Sequence, residues 1–210
     1  LGRCDKLKVK WGDNFCSAEE TAAREALERV KQEESYAREI QKAILVPTIT
    51  GTAGSIITEP QNTLRLQSAL TTLEHYTAHC PLALEALRTG NMILALRTSF
   101  LSALNSNEPA SGEKWSLVMN AVADADACFN GTGEIPLVKE EVALRNKIDD
   151  VAKRLTDVIA ARDENGLLLC LEQGLALGFS THQNQAYRDM YYDGKKLVGD
   201  LQEMRELLEV

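Results

Sequence analysis

The chain has 210 residues, 44% hydrophobic, 26% charged and only 5% aromatic, an ordinary balance for a soluble globular protein with one core or two small ones. A formal charge of −8 and a pI near 5.0 argue against a general nucleic-acid surface, because phosphate binding needs clustered Lys and Arg and the one basic run is Lys6 to Lys10. No apolar run approaches the ~20 residues that span a bilayer, no signal peptide is recognisable, and so few aromatics favour packed helices over a β-sandwich.

Residues 1–16 have no clean period, and Trp11 and Phe15 are read as anchors for this arm. Ser17 with Glu20 has the form of a capping box, and a helix follows to about Val46. Its stripe is Ala23, Ala26, Val30, Ala37, Ile40 and Ile44, broken by Glu33, so a mostly polar helix on or projecting from the bundle surface is expected. Ile40-Gln41-Lys42 opens like a calmodulin-binding IQ motif, but Val46-Pro47 replaces its basic continuation. Between Pro47 and Pro60 helix propensity collapses, which marks a loop or linker. The amides of Gly51 to Ser55 suit an anion, yet the Lys and the spacing of a phosphate loop are missing.

From Asn62 a helix carries Leu66, Leu70 and Leu73 in stripe and reaches Cys80-Pro81, where it ends or kinks. A short apolar helix continues to Gly90, and Asn91 caps the next, Met92 to Leu104. After a polar turn from Asn105 to Gly112, residues 113–129 place Trp115, Val118, Val122, Ala125 and Phe129 on a further helix.

The clearest signal lies between Pro136 and Val210. Leu137, Leu144, Ile148, Val151, Leu155 and Val158 draw one stripe, since 3.6 residues per turn bring i, i+3, i+4 and i+7 together. Pro136 fits a first helical turn. Arg162 to Gly166 reads as a tight reversal, and Leu167 to Leu177 is apolar almost all round, a helix that wants burial on most sides. Ser180 with Gln183 suggests a capping box for a last helix striped by Tyr187, Met190, Leu197, Leu201, Met204 and Leu208.

These elements predict an all-α fold of antiparallel helical hairpins, five to eight helices in all. The domain reading is an arm and long helix (1–46), a loop or linker (47–60) and a helical domain (61–210). Sliding residues 92–129 by 75 positions brings Ile93, Leu94, Leu96 and Phe100 onto Leu168, Leu169, Leu171 and Leu175. That suggests two divergent three-helix repeats, 62–131 and 136–210, as in an α-solenoid, weighed against two unrelated helix pairs.

The motifs present predict no catalytic, cofactor or metal site. Gly-x-Ser-x-Gly, Walker, Rossmann and Cys-x-x-Cys patterns do not occur. His75 and His79 lie four apart beside Cys80, on one expected helix face, but lack a third ligand and a general base. Asp124, Asp126, Asp149 and Asp150 read as solvated helix faces. The segment from 187 to 196 offers a candidate interaction patch, Tyr187, Arg188, Tyr191, Tyr192, Lys195 and Lys196, because Tyr and Arg are enriched at interface hot spots. The bland reading has Tyr187 and Tyr191 packed between helices.

Cys4, Cys16, Cys80, Cys128 and Cys170 are odd in number and far apart, which points to reduced thiols and a cytoplasmic, cytoskeletal setting. The run from Val158 to Gly178 resembles helix–turn–helix segments of large cytoskeletal and flagellar proteins of protists; the resemblance names no active residue. The chain also ends in mid-pattern at Glu206 to Val210, as a piece of something longer would. The expectation is a non-enzymatic protein-binding module of a larger scaffold, with no cofactor, nucleic acid or membrane span. The alternative is a secreted or surface-exposed bundle that binds a host or receptor protein, resting on Cys4, Cys16, Cys128 and the sequon Asn130-Gly131-Thr132.

Overall fold

The computed structural model describes Lys6 and residues 17–76, 78–106, 108–129 and 133–208. The readings placed on Trp11, Phe15, Cys4, Cys16 and the 130–132 sequon lie outside them. The fold is all-α apart from one small hairpin. In order come α1 (Ser17–Leu45), β1 (Ile49–Thr52), β2 (Ser55–Thr58), α2 (Pro60–Glu74), α3 (Pro81–Leu104) and α4 (Glu113–Phe129). Then follow α5 (Ile135–Ala161), α6 (Glu164–Ala176), a 3-10 turn (Phe179–Thr181) and α7 (Gln185–Leu208). No helix among the described residues is long and apolar enough to cross a membrane.

The chain divides into two compact units. One takes Leu1–Thr50, Ile57–Thr98 and Ala121–Ile135; the other takes Gly51–Ile56, Ser99–Asn120 and Pro136–Val210.

In the first unit α1 packs along α2, burying Ala37 and Ile40 with Leu66, Leu70, Leu73, Ala83, Ala86 and Leu96. The expectation of a surface helix holds for residues 21–32 of α1, which are exposed, and fails further along, where Glu33, Ala37 and Ile40 are fully buried. A second correction concerns residues 81–104. The expected break at Gly90-Asn91 is absent, and α3 runs through it. Gly90 is there for closeness: a Cβ at that point would sit 2.7 Å from Leu70 Cδ2 and 2.9 Å from Ile40 Cγ2. Pro81 opens the helix, where a missing N–H is harmless.

The region expected to be a bare loop folds into the β1–β2 hairpin, with Gly51 and Gly54 at φ 102° and 80°. It closes on itself through Glu59 N–H to the Thr48 carbonyl at 2.8 Å.

In the second unit Ile148, Val151, Ala152 and Leu155 of α5 meet Leu167, Cys170 and Leu171 of α6, with Phe179, Tyr191 and Val198 completing the core. The reversal after α5 is made by Arg162, left-handed at φ 53°, with Asp163 N–H bonded to Val158 O at 3.1 Å and Arg162 N–H to Ile159 O at 3.2 Å. The left-handed residue is therefore Arg162, while Asn165 and Gly166 lie inside α6. The expected Ser180 cap is also displaced. Ser180 falls in the 3-10 turn, and Asn184 caps α7 by accepting the Ala186 N–H at 3.0 Å. Helix lengths of 15, 24 and 17 residues in α2–α4 contrast with 27, 13 and 24 in α5–α7, so the expected repeat has no counterpart in element length.

Candidate functional site

The six residues of the expected patch are not brought together as one surface. On α7, residues 187 and 191 point inward, while 192, 195 and 196 share the outer side. Tyr191 is buried; Tyr192, Lys195 and Lys196 are exposed. Tyr187 is half-buried, its hydroxyl donating to Asp149 Oδ1 at 2.6 Å and its ring 5.3 Å from Phe179 and 4.8 Å from His182. Burial first, and then the bond to Asp149, pushes its phenol well above the ordinary value. Arg188 folds back onto the carbonyls of His182 and Gln183 and onto Gln185 Oε1.

The His75, His79 and Cys80 cluster does not form either. Helix α2 stops at Glu74, both histidines are exposed, and the Cys80 thiol sulfur accepts the Ala83 N–H at 3.3 Å. No grouping of three metal-ligating side chains occurs among the described residues.

Two buried charges in the first unit are helix caps. Glu33 Oε2 accepts the N–H groups of His79 (2.8 Å) and Cys80 (2.7 Å), just ahead of α3, where a carboxylate meets the positive end of the helix dipole. The Cys80 amide is the main cause that holds its carboxyl below the usual 4.5, against desolvation. Arg97, fully buried on α3, does the converse at the end of α1. It donates to the carbonyls of Ala43 (3.3 Å), Ile44 (3.1 Å) and Val46 (2.8 Å) and pairs with Glu134 at 2.8 Å. Glu134 in turn accepts the Thr48 N–H.

The second unit holds a cavity of about 470 Å³ that sequence reading missed. Its walls come from the β1–β2 turn, the end of α3, the middle of α5 and the segment joining α6 to α7. The titratable residues Glu108, Glu141, Arg145, His182 and Tyr187 line it. Glu141, nearly buried, accepts the Gly54 N–H at 2.7 Å and the Arg145 Nε–H at 2.8 Å. The glycine-rich turn does hold an anion with its amide, and that anion is the chain's own carboxylate. Asp149, expected on a solvated face, is instead tied to the Tyr187 hydroxyl and the Ala110 N–H. Arg145 lies 5.2 Å over the Trp115 ring, a cation–π contact. The one legible signal was the spacing of 141, 145, 148 and 149, which shares one side of α5. His182 and Gly54 are joined to that side only by tertiary packing.

A further feature is the outer side of α6. Leu168 (46% exposed), Leu169 (55%) and Leu175 (56%) lie uncovered there, with Glu172 as the charged residue between them. No family model matches the chain, and no curated protein or solved structure matches it.

Proposed function

We propose that the chain is a non-enzymatic helical module that binds another protein. The carrying observation is the uncovered leucine side of α6, three large apolar residues in two turns of a helix whose other side is already packed. Isolated exposed leucines are commonplace, but a cluster of this kind marks an interaction surface. A scaffold or cytoskeletal setting is part of the proposal. The engaged carboxylates of the second unit support the non-enzymatic reading: Glu141 and Asp149 serve the chain's own amides, guanidinium and hydroxyl.

The test is Leu168→Glu with Leu169→Lys and Leu175→Glu in one variant. It is expected to keep the wild-type melting temperature and lose the proteins that cross-link to the wild-type chain in its native cell. Unchanged cross-links, or wild-type protein recovered only as a free species with measurable turnover, would refute the proposal.

A further inference from the structure

The cavity of the second unit has an unbalanced set of hydrogen-bonding groups. Its two lining carboxylates are engaged: besides Glu141, Glu108 Oε2 takes the Lys114 N–H at 3.0 Å, and Lys114 Nζ lies 3.6 Å from Oε1. Several of its donors are not. Arg145 uses Nε on Glu141, while its two terminal nitrogens have no hydrogen-bond partner among the described residues. His182 Nδ1 accepts the Asn184 N–H at 3.1 Å, so the neutral ring carries its proton on Nε2, which is likewise unpartnered there. Asn184 Oδ1 is engaged with Ala186 N–H, leaving its NH₂ group as a third unmatched donor.

Charge and shape narrow the complement. The lining carboxylates are already paired, Glu141 with Arg145 and Glu108 with Lys114, so what the cavity offers a ligand is the free end of the Arg145 guanidinium and neutral donors. Burial first, then the neighbouring Arg145 and Arg188, lowers the His182 pKa, which favours the neutral ring. A guanidinium presents a planar fork that matches the two oxygens of a carboxylate. The rest of the wall is mixed, with Ser106, Thr181 and Gln183 beside an apolar part made by Ile56, Leu104, Leu144, Ile148 and Leu177, and the volume falls in the range of small-molecule sites.

We propose that this cavity binds a monocarboxylate, its oxygens on Arg145 and the His182 imidazole N–H and its hydrocarbon part on the apolar wall. The carboxylate belongs either to a free short-chain acid or to a peptide C-terminus.

The experiment is a titration of the intact chain followed through ring-labelled histidine NMR, which resolves three side chains, His75, His79 and His182. Hexanoate is expected to shift His182 saturably and to leave the other two unmoved. Hexanamide, of the same shape and uncharged, is expected not to bind. Arg145→Lys, checked for an unchanged melting temperature, is expected to weaken hexanoate by about tenfold or more, the loss of a charge-assisted hydrogen bond. A peptide with a free C-terminus that outcompetes hexanoate, and fails once amidated, identifies a chain end as the source; tighter hexanoate identifies a free acid. No saturable shift at His182 with either ligand, or equal affinity for hexanoate and hexanamide, overturns the site. Because the amide control uses the wild-type chain, the outcome does not depend on how the variant folds.

Discussion

Glu33 and Arg97 show how far a single residue's role departs from its local pattern. Glu33 interrupts an apolar stripe, yet it is buried against the two amides that precede α3. Replacing it with Ala strands both N–H groups and is expected to destabilise the chain by about 1–3 kcal/mol, measured by urea unfolding. The pH dependence has a definite sign. A carboxyl whose folded pKa lies below its unfolded value of 4.5 adds stability above that value and loses it as pH falls through the folded one. The gap between wild type and Glu33→Gln is therefore expected to be widest near neutrality and to close on acidification below 4.5. An unchanged gap would remove Glu33 from its capping role. Arg97→Ala leaves Glu134 buried without its cation and is expected to cost about 3–5 kcal/mol, whereas Arg97→Met with Glu134→Met should cost less, the remainder being the stranded carbonyls at the end of α1 and the Thr48 N–H. Denaturant midpoints of the single and double variants decide this.

Elements were legible where one face repeats with helical period, because burial of a stripe needs nothing beyond the element's own sequence to announce it. Helix α5 buries Ile148, Val151 and Leu155 of its expected stripe, whereas α7 buries Tyr191, Gly194 and Val198, which the expected stripe left out, and exposes Met204 and Leu208, which it included. Boundaries failed where a neighbouring element overrides local propensity. Gly90 ought to weaken a helix, yet α3 continues because Leu70 and Ile40 lie where a side chain would be. Gly90→Ala gains about 1 kcal/mol of helix propensity and meets a clash typically worth more, so net destabilisation of about 1–2 kcal/mol is expected by thermal unfolding. A stabilised variant would mean that Leu70 rotates away freely. The β1–β2 hairpin escaped notice for a related reason. Its four-residue strands carry too few side chains to show alternation, and its turn is fixed by Glu141 on a distant helix.

For the molecule as a whole, thiol chemistry offers a check on the packing. Cys80 and Cys170 are buried and Cys128 is partly exposed, all three as free thiols. Mass-mapped alkylation is expected to label Cys128 in the native protein and the other two only after denaturation; native labelling of Cys170 would contradict the core of the second unit. The amino-acid order by itself determined the helical class, the non-helical segment between α1 and α2, the buried sides of α4 and of the middle of α5, and the lack of any recognisable catalytic motif. These properties are local, set by periodicity and by backbone preferences within a few residues. Only the tertiary structure decided which charges are buried as caps, that α3 passes through Gly90, and that Arg145, His182, Tyr187 and the Gly54 turn surround one cavity. Such meetings join residues far apart along the chain, and no local period encodes which distant segment will pack against which.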